Sequence, residues 1–569
     1  MYRRKFVSLG TATLCVMPIL GLTAFNKTDT PLPKPAWLLD LIKINDDQVK
    51  QMAAFKVNDT KHRYYGGYFD WAEIPNPHST VSFINDAGCA ICCPESIYCR
   101  SQPLLADISL ALQCLLKMQH ADGTIDLLAT NFQSPPDTGF MVKRLAPVYT
   151  LLRQSNTPGA EKPLADFKTF LQRAGEALIT GGIHTPNHRW VVSAALVKLN
   201  ELWSDQRYVN RVNEWLGEHI DIDADGQYTE KSTSGYSAVV DRVLITISKG
   251  LNKPEILDAV RKNIKMMRYY IHPNGEVVTE ASNRQDKGQI GTMENYYYAC
   301  RYLSLLDRDG EMASICRLIE ATSFKKLADF LNYFLEDPSL WKALPGNKPL
   351  PDNYVKSFPY SGIVRIRRGQ WDSTILSNNA GWFTFHKSHV ALQGMRVAAS
   401  FFGKGQFQSE TIEKVENSWV LTNKLEGVYY QPYPKEGIQP DGDLSKMPRS
   451  NRKKSNIQHL QTTITITESG NGINVEVEMN GTEGVPVSME LIFRRGGKFT
   501  GVQQLEGSED IYMFNDTAGT YSSKGDTIHF GPGKLEHKGL QLRGALPHAG
   551  APTVYLTGFT PFKHTIQFS

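Results

Sequence analysis

At 569 residues the chain is too long for one ordinary hydrophobic core, so two domains are expected. With 41% hydrophobic and 21% charged residues its composition is that of a folded, soluble protein. The formal net charge of +4 excludes the strong basic stripe of a nucleic-acid partner, while leaving room for a local cationic groove that takes an acidic substrate.

Residues 1–24 read as an export signal, with Arg3, Arg4 and Lys5 as the positive end and a short apolar stretch, residues 14–20, ahead of Thr23 and Ala24. The paired arginines followed by Phe6 also fit a twin-arginine signal. Leu14 is a poor neighbour for a lipidated cysteine at Cys15. No other stretch is apolar enough to span a bilayer, so a periplasmic or secreted protein without stable membrane insertion is expected. Cys89, Cys92, Cys93 and Cys99 crowd together and read as local disulfides or buried thiols; a zinc site would show two cleanly spaced pairs.

From about Ala36 to Phe334 apolar residues recur at three and four, which predicts helices over Leu104–Met118, Met141–Leu152, Trp190–Trp203, Tyr236–Ile247, Ile256–Ile271 and Asn295–Leu306. Helix pairs spaced by about 40–50 residues suggest a closed helical array. After Pro349 and Pro351 the period changes to two: Thr462–Thr467 and Ile473–Glu478 alternate, and short β-rich runs at Gly362–Arg367, Gly381–Phe385, Ser488–Phe493 and Thr553–Phe559 complete the pattern. The expected fold class is α+β multidomain: an N-terminal (α/α) toroid over residues 25–350, then a C-terminal antiparallel β-sandwich over residues 351–569.

Two segments stand out, Thr185–Trp190 and Tyr228–Tyr236, each where a loop turns into an amphipathic helix. Together they supply an amide, an imidazole, cations and a phenol at helix starts. That inventory suits removal of a carbon-bound proton next to a carboxylate. The positive helix end lowers the pKa of a nearby imidazole, which keeps His188 neutral and able to accept a proton. Asn187 can bond a carboxylate or simply cap the helix. Tyr236 begins an apolar stripe and is either a proton-transfer group or a packing ring; Gly235 leaves space beside it. Arg189, Lys231 and Arg284 are candidate carboxylate binders, and Trp190 a candidate sugar contact. Asp137, in the loop 131–138, reads as the cap of the next helix. His386 and His389 have no carboxylate nearby in sequence, so no metal is expected, and Gly403-Lys404-Gly405 is too short for a phosphate loop, so no cofactor is expected either.

Asn187-His188, Tyr236 and the phrase Trp382-Phe383-Thr384-Phe385-His386, set in a helical array followed by strands, resemble the heparinase II/III-like polysaccharide lyases over most of residues 36–569. The resemblance implies β-elimination at a 4-linked uronic acid, giving a C4=C5 unsaturated product. It gives Asn187 the uronate carboxylate, His188 and Tyr236 the protons, and His386 a supporting place from the sandwich. The partner it implies is an acidic polysaccharide or oligosaccharide, with rhamnose–glucuronate linkages of plant gums among the candidates. The His-and-Asp metal pattern of the heparinase II type is not evident in the sequence. Two rivals remain: a toroid-type glycoside hydrolase using a pair among Glu230, Asp241 and Asp137, and a non-catalytic binder stacking sugars on Trp190, Trp203 and Tyr296–Tyr298. Neither the individual glycan nor the oligomeric state is readable from the sequence.

Overall fold

A computed structural model describes residues 33–514 and 518–569; the export-signal reading of residues 1–24, including Cys15, lies outside them. Helices run from Ala36 to Trp341, and the strands of two large sheets from Asn353 to Phe568. The chain is an (α/α) toroid followed by a β-sandwich. Among the described residues no helix is long and apolar enough to cross a membrane.

In the toroid, Pro77–Cys92, Pro135–Ser155, Pro186–Trp203 and Tyr236–Leu251 pack successively on one another as inner helices, with Gln102–Met118, Glu161–Thr180 and Gln206–Gly217 outside them. Burial explains the sorting. Nearly every residue from Asn187 to Leu199 is buried, whereas Gln206–Gly217 buries only Tyr208 and Val212. Proline occupies the first turn of three inner helices, where its missing N–H costs nothing. Two of those starts are capped conventionally, by Asn76 and Ser134. The starts at Pro186 and Tyr236 have no side-chain cap from Thr185 or Gly235; the Asn187 N–H is met by Glu230 from a distant loop and the Tyr236 N–H by Ser232 in the loop that leads into its helix.

The sandwich pairs an eight-stranded with a nine-stranded sheet. Its ladders are antiparallel except where Ile511–Phe514 runs parallel to Thr553–Phe559. The alternation seen in the sequence has its expected meaning: Ile464, Ile466, Val475 and Val477 point into the core, and Thr465 and Glu476 do not. Trp371–Leu376 is buried at every position. One of its faces meets the sandwich core and the other meets the toroid, which is why its sequence lacks a clean polar face. The same holds for Phe383–Lys387, where Phe383 and Phe385 enter the core while Thr384 and His386 face the helical side. The seam is polar: the Tyr354 hydroxyl and Arg365 Nε donate to the Tyr269 carbonyl, each at 3.0 Å, and Arg494 pairs with Glu276 at 2.7 Å.

The cysteine cluster contains free thiols, not disulfides; Cys89 and Cys93 are buried, and burial pushes the Cys92 and Cys93 thiols up to about 12.

Candidate active site

The loop 227–235 and the loop 280–288 meet at the start of Tyr236–Leu251, and Asp286 ties them together. It accepts from the Ser232 hydroxyl at 3.1 Å and from the Ser234 backbone N–H at 2.9 Å. Ser232 Oγ in turn accepts the Tyr236 N–H at 2.9 Å. Lys231 sits at φ 50°, so the chain turns sharply immediately before these bonds form. The serine-rich approach to Tyr236 is therefore the scaffold that fixes where the phenol stands. That phenol is half-buried, and among the described residues its oxygen makes no hydrogen bond.

Arg284 packs against it and connects it to Glu230, Asn187 and His188. Glu230 Oε1 accepts from the Asn187 backbone N–H at 2.8 Å and from its side-chain Nδ2 at 2.6 Å. Arg284 Nε approaches Glu230 Oε2 at 3.6 Å, too long for a hydrogen bond, and neither atom has another partner. The Arg284 guanidinium lies 5.3 Å from the Tyr236 ring centroid. His188, in the first turn after Pro186, stacks edge-on to Phe140 and His184 with ring centroids 6.3 and 4.7 Å away, and its Nδ1 is unpaired. Burial, helped by His184 and Arg284 and opposed by Asp137, lowers the His188 pKa to about 4. At neutral pH His188 is therefore an uncharged imidazole, one of whose nitrogens can accept a proton.

Several expectations are corrected by this geometry. Asn187 is not a cap but a first-turn residue, and its amide hydrogens go to Glu230 and to Thr185 Oγ1, at 3.3 Å; only Oδ1 is left unpaired. Arg284 is thus the group with donors left for a carboxylate. Arg189 points away, pinned by Glu218 at 2.9 Å and Asp221 at 2.8 Å. Trp190 has 0% exposure and donates to Asp221, so it cannot stack on a sugar; Tyr296 and Tyr297 are buried as completely. Lys231 reaches the sandwich, donating to the Ser361 carbonyl at 3.3 Å. Asp137 is not the cap; it receives the Ser134 hydroxyl at 2.6 Å while Ser134 caps the helix, a reciprocal arrangement. Of the hydrolase candidates, Asp241 is fully buried and accepts from the Tyr228 hydroxyl at 2.8 Å, and burial raises its pKa far above the carboxylate range.

His386 belongs to a second cluster, joined to the first by the loop that begins at Glu280. Its ring stacks on His272 at 3.9 Å and 2°. His272 Nδ1 lies 2.9 Å from Asp372, which also pairs with Arg365 at 2.8 Å, while Glu280 accepts from Thr374 and Thr384. Burial opposes charge on His272, but Asp372 and Glu280 overcome it and raise its pKa to about 9; burial and that neighbouring charge push His386 down to about 3. His272, Asp372 and His386 hold one ligand atom each within 4.8 Å of the others. The sequence reading found no metal pattern because these residues are scattered over the toroid and two strands. They are the described residues that can hold a metal, with the His386 Nδ1 unpaired, although both Asp372 oxygens already serve Arg365 and His272. Glu280 and Asp372 had no functional place in the sequence, and Glu230 had one only as a candidate hydrolase acid; the polar character of the loops at 230 and 280 was the signal for the two glutamates.

No family model and no curated protein matches the sequence. Solved structures do match it in fold. Chondroitin AC lyase from Streptomyces coelicolor A3, in complex with chondroitin sulphate, aligns over 95% of this chain and 79% of its own with a TM-score of 0.54 and 11% identity. A Paenibacillus xanthan lyase aligns over 94% of this chain and 57% of its own, with a TM-score of 0.56 and 10% identity. A chondroitinase AC lyase solved with oligosaccharides aligns over 94% and 82%, with a TM-score of 0.51 and 9% identity. The chain has the toroid-plus-sandwich fold of polysaccharide lyases.

Proposed function

We propose that the protein is a lyase of acidic polysaccharides that cleaves a 4-linked uronate by β-elimination. The observation that carries this reading is the convergence of Tyr236, Arg284, Glu230 and Asn187 with a neutral His188 at two helix starts. The likeness in fold to lyases of chondroitin and xanthan supports the class but not the substrate.

In this mechanism Arg284, held near Glu230 but with spare donors, binds the uronate carboxylate and stabilises the charge that grows on it. His188 takes the C5 proton. The C5–H electrons form the C4=C5 double bond, the C4–O4 bond breaks, and Tyr236 gives its phenolic proton to O4. Asn187 fixes Glu230, and its free Oδ1 suits a sugar hydroxyl. Paired-acid hydrolysis is disfavoured by Asp241, which is sealed beneath Tyr228. The test is a screen of uronate glycans, rhamnose-capped glucuronate side chains included, read by ultraviolet absorbance of an unsaturated uronate. A saturated reducing sugar as the product would overturn the reading, and the same screen decides the glycan.

A further inference from the structure

Beside the active site the toroid forms a half-open cavity of about 350 Å³, and three basic side chains line it: Lys143, Arg144 and Arg242. None of the three makes an ion pair among the described residues. Lys143 and Arg242 are 5% and 7% exposed. Arg242 leaves Nε and Nη1 without hydrogen-bond partners. Its guanidinium lies over the Phe330 ring at 4.8 Å, the Lys143 ammonium lies 5.1 Å from the Phe140 ring, and Arg144 donates to Ser82 at 2.9 Å.

Buried cations are normally paired, because an isolated charge away from water is costly. Elsewhere this protein obeys that rule: Arg365 has Asp372, Lys198 has Glu201 and Glu336, and Arg301 has two backbone carbonyls. The carboxylates of the cavity do not fill the gap. Asp137 is occupied at Oδ2 by Ser134 and Asn131 and faces His78, also on the cavity wall, at 3.6 Å from Oδ1, and Asp329 stands exposed with Gln48 as its partner. Asp86, behind Arg144, has its carboxyl pushed up to about 7 by burial. Burial, with Arg242 and Arg144 adding to it, also depresses the Lys143 pKa far below the lysine range.

We propose that this cavity is a second anion subsite, in which Lys143 and Arg242 take an oxyanion, a carboxylate or sulfate, carried by a sugar unit next to the one that is cleaved. Its position supports this use. Phe140, on its wall, packs edge-on against His188, and Val239, also on its wall, lies one helical turn beyond Tyr236. That a saccharide brings the anion rests on the lyase reading; that the cavity binds an oxyanion does not.

The experiment is a thermal-shift series on the full chain with sodium glucuronate, sodium sulfate and sodium chloride at matched ionic strength. Glucuronate or sulfate is expected to raise Tm beyond chloride in the wild type and in Tyr236→Phe alike, whether or not any glycan is cleaved. Lys143→Met and Arg242→Met are expected to lose that rise, with the dissociation constant weakened about tenfold or more; without ligand Arg242→Met is expected to melt at or above the wild type, since an unpaired buried charge is gone. The absence of any oxyanion-specific shift in the wild type overturns the proposal, and so does a shift that Arg284→Met abolishes or that survives in full in Lys143→Met. Should Arg242→Met not fold, the wild-type arm and Lys143→Met decide alone. A rise with glucuronate and not with sulfate assigns a carboxylate-bearing neighbour, and the converse a sulfated one. A positive anion result with no ultraviolet-absorbing product from any glycan would sink the lyase reading while leaving the subsite in place.

Discussion

Replacing Tyr236 by Phe removes one oxygen and nothing else of consequence to the fold. The neighbouring tyrosines show the contrast. Tyr228, Tyr296 and Tyr297 each give their hydroxyl to a protein acceptor, at 2.8, 2.7 and 2.6 Å. Deleting the oxygen of Tyr228 or Tyr296 strands a buried acceptor, at a cost of about 1–3 kcal/mol. The Tyr236 oxygen has no acceptor to strand, its backbone is fixed by Ser232, and a phenyl ring keeps the cation–π contact with Arg284. Stability of Tyr236→Phe is therefore expected within about 0.5 kcal/mol of the wild type. Turnover is not: a group that transfers a proton in the transition state contributes about 10²–10⁴-fold, or about 3–5 kcal/mol of barrier. Urea unfolding followed by fluorescence, beside initial rates of ultraviolet product formation, measures both quantities. A variant that keeps more than about a third of the wild-type rate, or loses stability in step with activity, refutes the argument, because Tyr236 is then a packing ring.

His188→Ala should lower kcat far more than it raises KM, since Arg284 still holds the carboxylate; equal effects on both would make His188 a binding residue. With the His188 pKa lowered to about 4, its neutral form persists well below the ordinary imidazole range, so the acid limb of the wild-type rate is expected near pH 4 and not near ~6.5. The sign for stability is the same: the unfolded chain binds this proton first, so His188 contributes stability above ~6.5 that is lost as pH falls through about 4. A rate limb centred near 6.5 would point to another base. Asp372→Asn, which leaves Arg365 buried without its partner, should cost about 3–5 kcal/mol in urea unfolding; a change below 1 kcal/mol would show that the seam tolerates the lone guanidinium. Asp241→Asn should retain turnover, whereas a paired-acid hydrolase would lose nearly all of it.

What the sequence made legible was local. The helix period located Gln102–Met118, Pro186–Trp203 and Tyr236–Leu251 to within a turn, and the period of two located Gly472–Gly481 and Thr553–Phe559, because each pattern is set by one face meeting one core. The elements missed in the sandwich fail that condition: Trp371–Leu376 is buried on both faces, so no alternation marks it. The site divides in the same way. Tyr236 stood out because a helix start and a polar loop adjoin it in the chain. Trp190 misled because an aromatic next to a cation looks the same in sequence whether it faces a cleft or is sealed against Asp221. The most consequential contacts join residues far apart in sequence: Asn187 to Glu230, Glu230 to Arg284, His272 to Asp372 and His386. Each is a charged or polar group whose partner comes from a different helix, loop or strand, and only the closure of the toroid and its seam with the sandwich bring them within reach. A carboxylate such as Glu230 carries no periodic signature of its own, since nothing beside it in the chain distinguishes a solvated acid from one that holds an asparagine and faces an arginine. The function is therefore encoded less in any motif than in which loops the two folded layers force together, and variants at Glu230 and Arg284 bear on it as directly as variants at His188 and Tyr236.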